Sequence, residues 1–308
     1  MAENVKKLIT HSGSFHADDI FATAVLTMLL ERKGEVYQVV RTRDPEIIQS
    51  GDYVYDVGGV YDEAANRFDH HQVGGAGQGK YGIDYSSFGL VWKKFGAELC
   101  ESQKVADIID KRLVVPIDAG DNGIDLVTNK YEVSQYVIQN FFSSMQPTWR
   151  EASPVAGLWP RENITQDEQF MKCVETAKGL LVREIAHARD FVIAEDKVLE
   201  AYNKAKDKRF ITLDEDYPAE RTLINFPEPL FVLYPRKDGT WGVKGVPKSL
   251  QTFQPRKTLP EAWGGLTNEK LQNITGVPDA IFAHRALFLA VAQSKEGALK
   301  LAEVALRL

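Results

Sequence analysis

Short apolar runs alternate with helical patterns along the first half of the chain. Residues 5–10, 36–40 and 53–55 are rich in β-branched and aromatic side chains and read as strands, while 20–32 and 88–98 carry apolar residues at helical spacing. That alternation predicts a parallel sheet with crossover helices. Residues 113–117 form a further apolar run that ends at Asp118 and reads as another strand. Between 166 and 206, Phe170, Val174, Ala177, Leu181, Ile185, Ala188 and Val192 recur every three or four positions, which predicts one long helix. A loop over 143–163, marked by Pro147, Pro154 and Pro160, precedes it. Further on, 210–213, 222–225, 230–234 and 241–246 read as strands, Asp238-Gly239 joins the last two as a hairpin, and 295–308 is a closing helix. The pattern divides the chain into an α/β domain over 1–165, a connecting helix over 166–209 and a smaller α+β domain over 210–308.

Composition narrows the class. With 308 residues, 44% of them hydrophobic, the chain is long enough for two cores. No apolar run approaches the ~20 residues that span a bilayer, so no membrane partner is expected. The opening Met-Ala-Glu-Asn-Val-Lys-Lys has no signal-peptide character, and a cytoplasmic protein is expected. Cys100 and Cys173 are too few and too far apart for a disulfide scaffold or a cysteine zinc site. A net charge of -6 argues against a generic nucleic-acid binder. The stretch 230–257 nevertheless carries Arg236, Lys237, Lys244, Lys248, Arg256 and Lys257 against Asp238 alone, a surface suited to an anionic substrate.

The chemistry gathers where the strands end. His11, His16, Asp18 and Asp19 follow the first strand, Asp56 the third, and Asp69-His70-His71 and Asp118 follow later apolar runs. In such sheets ligands bind beyond the carboxyl ends of the strands. Carboxylates converging there unpaired would repel one another until some took up protons, and a divalent cation removes the conflict. Mixed imidazole and carboxylate ligands suit manganese, iron, cobalt or zinc, and carboxylate bridges between two ions suit phosphoester hydrolysis. Taken singly, Asp18 or Asp19 would serve equally well as a helix cap. Gly74 to Gly79 lacks the ending of a P-loop and reads as a loop beside the site.

These residues resemble the DHH phosphoesterase superfamily, and the longer strings resemble its MYG1 family. The matching segments are Thr10-His-Ser-Gly-Ser-Phe-His16-Ala-Asp18-Asp19, Tyr55-Asp56-Val-Gly-Gly, Phe68-Asp-His-His-Gln72, Ser86-Ser-Phe-Gly-Leu-Val-Trp92, Asp118-Ala-Gly-Asp121-Asn-Gly and Leu259-Pro-Glu-Ala-Trp263-Gly-Gly-Leu266. The resemblance implies a parallel-sheet DHH-type domain carrying two divalent metals, most often manganese, joined by a long helix to a smaller domain. It implies that His11, His16 and Asp56 hold one metal, and that Asp18, Asp56, His70 and Asp118 hold the other. His71 would face the scissile phosphate and Asp69 would orient a neighbouring imidazole. Asp121 competes with Asp118, which is preferred because it ends an apolar run. Gly264 and Gly265 match a glycine turn used for substrate, and Arg236, Arg256 and Lys257 are the expected phosphate contacts, since basic donors pair with phosphate oxygens. The implied activity is a 3′-to-5′ exonuclease acting on RNA or short oligonucleotides, in a chain that could also self-associate. A hydrolase of dinucleotides or pyrophosphate, and a metal-binding regulator without turnover, are the alternatives.

Overall fold

The computed structural model describes residues 5–151, 165–250, 252 and 254–308. The chain separates into two compact units, Met1–Ala188 and Arg189–Leu308. Both are mixed α/β.

The first unit opens with β1 (Lys6–Thr10), whose Leu8, Ile9 and Thr10 are fully buried. A helix, α1 (Ala17–Lys33), follows. It begins three residues earlier than the apolar pattern alone predicts, so Asp18 and Asp19 lie inside its first turn. Nearly every residue from Ala17 to Leu30 is buried, and Gly34 ends the helix at φ 69° with its N–H returned to Leu30 and Glu31. β2 (Tyr37–Arg41) is followed by the short α2 (Pro45–Gln49), capped by Asp44. Then come β3 (Tyr53–Tyr55), β4 (Tyr61–Asp62) and β5 (Arg67–Phe68). The sheet runs β2-β1-β3-β5-β4. Its first four members are parallel, as the alternation predicts, but β4 pairs antiparallel with β5 and makes the sheet mixed.

The helices α3 (Ser87–Cys100) and α4 (Gln103–Ile109) lead into a π-helical turn over Asp110–Val114 and then α5 (Val115–Asp121). The apolar run ending at Asp118 is therefore helical, not a strand. Pro116 follows directly on the π-helical turn, in the first turn of α5. α1 packs on α3 through Phe21 and Phe88, stacked at 5.1 Å, and on α6 (Ile138–Met145) through Phe142 at 5.8 Å from Phe21. Much of the proline-bearing loop expected over 143–163 lies outside the described residues. α7 (Gln166–Lys204) is the long helix. The boundary between the units falls within it, and Phe170, Cys173, Val174, Ala177 and Leu181 are fully buried in the first.

The second unit holds β6 (Phe210–Thr212), α8 (Glu220–Leu223), β7 (Phe231–Pro235), β8 (Trp241–Gly245), α9 (Asn268–Thr275), β9 (Ala280–Ala283), β10 (Leu289–Ala292) and α10 (Lys295–Arg307). The strand expected at 222–225 is the end of α8 instead. The order is β6-β7-β8-β10-β9, antiparallel except for β6 with β7. The β7–β8 hairpin turns at Gly239, φ 81°. A buried cluster of Phe231, Leu233, Trp263, Leu271, Ala298 and Leu301 forms the core on one face of the sheet.

Candidate metal centre

Strand ends and first helical turns deliver the chemistry. β1 ends next to His11, which is only 5% exposed; its Nε2 lies 3.1 Å from Asp56 Oδ2 and 3.3 Å from Asp19 Oδ2. His16 is the N-cap of α1 and donates its backbone N–H to Asp19 Oδ1 at 2.9 Å, leaving its ring exposed 6.0 Å from that of His11. Asp56 follows β3 at φ 56°, a left-handed conformation that a non-glycine residue adopts only when its surroundings hold it. Its Oδ1 lies 3.3 Å from His70 Nε2 and 3.5 Å from His71 Nδ1. His70 Nε2 is also 3.3 Å from Asp121 Oδ2 and 4.0 Å from Asp18 Oδ2. Asp56 thus stands among three imidazoles, Oδ2 toward His11 and Oδ1 toward His70 and His71.

Asp69 shapes the turn that makes this possible. One oxygen accepts the backbone N–H groups of His70 at 2.7 Å and His71 at 3.1 Å and lies 2.8 Å from Nδ1 of His71; the other accepts Gly59 N–H at 2.5 Å. Gly58 and Gly59, at φ 98° and 69°, let the backbone after Asp56 reach it. Asp69 is therefore an orienting residue, and the imidazole it fixes is that of His71, 61% exposed.

The electrostatics describe a site short of positive charge. Burial, with Asp56 nearby, raises the Asp18 carboxyl, and burial beside Asp18 raises Asp19 further. Asp121 is pushed up to about 8 by burial and by the charges of Asp18 and Asp56. Burial opposes ionisation of Asp56 too, yet His11 and His70 outweigh it and hold that carboxyl at about 2. Burial would lower His70, but Asp56, Asp18 and Asp121 lift it to about 9. Asp18 Oδ1, Asp19 Oδ2, Asp56 Oδ1 and His70 Nε2 are all buried without a well-formed hydrogen bond. Leaving one such group unsatisfied costs about 1–3 kcal/mol. Four in one cluster fit a bound cation. Ligand atoms of three overlapping groups lie within 4.8 Å of one another: His11, His16 and Asp56; Asp56, His70 and His71; and His16, Asp18 and Asp121.

Asp118 is drawn elsewhere. Its Oδ1 accepts Ser86 N–H at 3.2 Å, Ser86 Oγ–H at 2.6 Å and Gly89 N–H at 3.1 Å, satisfying donors at the first turn of α3 that have no partner within the helix. A Cβ on Gly89 would fall 2.2 Å from Asp118 Oδ2, so glycine is required for the approach. One helical turn further along α5, Asp121 joins the cluster in the place expected of Asp118.

Residues expected to hold substrate phosphate fall in the second unit, and several are engaged in its folding. The Arg256 guanidinium donates to the backbone carbonyls of Phe226, Pro229 and Ile224 and clamps the segment before β7. Gly265, φ 77°, donates its N–H to Ala283 O at 3.0 Å, and a Cβ on Gly264 would press on Leu287 at 3.3 Å; the pair forms the turn against β9 and β10. Arg236 bonds Asp238 within its own hairpin at 3.3 Å. Lys257 is half-buried. Sequence patterning passed over Arg43. It donates Nε–H to Ser12 O at 3.3 Å, places Nη2 3.4 Å from His11 Nδ1, and lines a cavity of about 660 Å³ with His11, His16, Asp56, His71 and Asp121. It is the one lysine or arginine among the described residues lining that cavity. Its place just past the carboxyl end of β2 is the signal that could have flagged it.

The chain matches the family model MYG1_exonuc, described as Uncharacterised protein family (UPF0160), over residues 7–306. It is 32% identical to the MYG1 protein of Schizosaccharomyces pombe, over 98% of this chain and 98% of the relative. It is likewise 32% identical to the human MYG1 exonuclease, over 96% of this chain and 85% of that one. Among solved structures, RecJ from Thermus thermophilus in complex with Mn2+ aligns at a TM-score of 0.29 and 16% identity, covering 98% of this chain and 52% of that chain, so this chain spans about half of its length. With the family's match running nearly from end to end and full-length relatives at this identity, the chain belongs to the MYG1 exonuclease family.

Proposed function

We propose that the protein is a metal-dependent phosphodiesterase that removes nucleotides from the 3′ end of RNA or short oligonucleotides. The carrying observation is Asp56, which turns one carboxylate oxygen to His11 and the other to His70. His11, His16 and Asp56 would hold one divalent cation, and Asp18, Asp56, His70 and Asp121 the second; manganese suits this mixed donor set. Bound there, such a pair supplies a water of lowered pKa and neutralises charge on the transferring phosphoryl group. Relatives named exonucleases support the choice of reaction.

The chain's own residues complete the reading. Asp69 holds His71 by Nδ1, so Nε2 is the free nitrogen, and the ring lines the cavity, where it can hydrogen-bond a phosphoryl oxygen or pass a proton to the departing oxygen. Arg43 offers a planar fork of donors to the phosphate. The test is hydrolysis of 3′- and 5′-labelled RNA by metal-stripped protein refilled with Mn2+, with His70→Ala as control. Mononucleotides released from the 3′ end only with metal and with His70 support the reading. Intact RNA, or internal fragments, would sink it.

A further inference from the structure

A second cavity, of about 570 Å³, borders Asp18 and Asp121 and runs along the segment after α5. Its volume lies in the range of small-molecule pockets. Like the cavity over the imidazoles it exposes more apolar than polar surface, but here aliphatic side chains supply it, Pro116, Ile117, Ile124, Leu126, Val127 and Val137, with Arg112 and Asp125 also in the lining. The fold leaves this segment uncovered: Leu126 is 52% exposed, Val127 54% and Val137 50%. Asn129 and Gln135 also line it, and neither side-chain amide has a partner among the described residues. Amides present a donor and an acceptor side by side, as base edges do. Asp121 lines both cavities, so the apolar one begins at a carboxylate of the candidate metal centre.

We infer that this cavity receives the base and sugar of the nucleotide whose phosphate is held at the metal centre, an inference that rests on the phosphodiesterase reading above. Continuity through Asp121 is what selects a nucleoside over a protein segment as occupant. Apolar walls would accept any base, while the two amides would add a preference among them.

The experiment is calorimetric titration of the Mn2+-loaded full chain with AMP and, separately, with ribose 5-phosphate, which lacks the base. Wild type should bind AMP about 10-fold or more tightly, from the apolar surface of the base taken out of water against aliphatic walls. Leu126→Asp and, independently, Val127→Trp should reduce AMP to the affinity of ribose 5-phosphate and leave the latter unchanged. Both positions are half exposed, so neither change should compromise folding, and thermal unfolding checks this. Equal affinities in wild type, or full AMP preference in both variants, would overturn the inference. Loss of self-association in Leu126→Asp with AMP preference intact would also overturn it, marking the segment as a contact between copies. RNA cleavage with equal AMP and ribose 5-phosphate binding removes the pocket alone. No phosphate binding and no RNA cleavage would remove the phosphodiesterase reading with it.

Discussion

Asp118 and Asp121 lie one turn apart on the same helix but face different partners, Ser86 and Gly89 in one case and His70 in the other, and a pair of asparagine variants tests the separate roles proposed for them. Asp118 is a buried carboxyl raised from 3.8 to about 7, chiefly by burial and against the pull of Ser86 and Gly89. Because the folded state holds the proton more tightly than the unfolded chain, this group's contribution is fully present below pH 4, declines as pH rises toward 7, and is gone above it. A pKa moved that far corresponds to roughly 4 kcal/mol as an upper bound. An asparagine in its place would keep an oxygen to accept the bonds from Ser86 and Gly89 and would not ionise. In urea unfolding with EDTA, Asp118→Asn should therefore match wild type near pH 4 and exceed it by up to roughly 3 kcal/mol near pH 8. Mn2+ binding should persist in Asp118→Asn. In Asp121→Asn it should weaken at one site by at least the ~10–100-fold that loss of an outer partner costs. A pH-independent difference between Asp118→Asn and wild type would refute the capping argument. Mn2+ binding lost in Asp118→Asn and retained in Asp121→Asn would refute the ligand assignment.

Other expectations follow from the same geometry. Gly89→Ala should destabilise the protein by about 1–3 kcal/mol in urea titrations, since its Cβ must displace Asp118; unchanged stability would show that the helix end can shift freely. Asp56→Asn should abolish the thermal stabilisation that wild type gains from Mn2+, which is about 2.7 kcal/mol at 100 times the Kd; a retained shift would place the cations elsewhere. Arg43→Ala should raise KM for RNA on the order of tenfold with Mn2+ affinity intact, measured by steady-state kinetics and calorimetry; an unchanged KM removes it from phosphate binding. Arg256→Ala should lower stability by about 1–3 kcal/mol without altering Mn2+ binding, because three carbonyls lose their donor; altered Mn2+ affinity with unchanged stability would contradict the clamp.

The sequence by itself determined the elements whose pattern is local. The first parallel strands, the long helix and the Asp-Gly hairpin follow from periodicity and turn chemistry, which nearby residues set. It also determined the family, and it brought His11, His16, Asp18, Asp56 and His70 forward together, because each sits directly after an apolar run or opens a helix. Tertiary structure decided the rest. The β-branched runs ending at Asp118 and Asn225 are ambiguous over a few residues, and packing resolved both toward helix. A step of three residues along α5 carries a carboxylate from the N-terminus of α3 to the imidazole of His70, and only the placement of α5 fixes which aspartate does which. Arg256 shows the same limit: a basic side chain in a basic stretch reads as a phosphate contact until the fold brings three carbonyls to it. Hydrogen-bond partners 27 or more residues distant leave no local pattern, so capping by Asp118, the clamp of Arg256 and the pairing of Arg43 with His11 are properties of the folded chain.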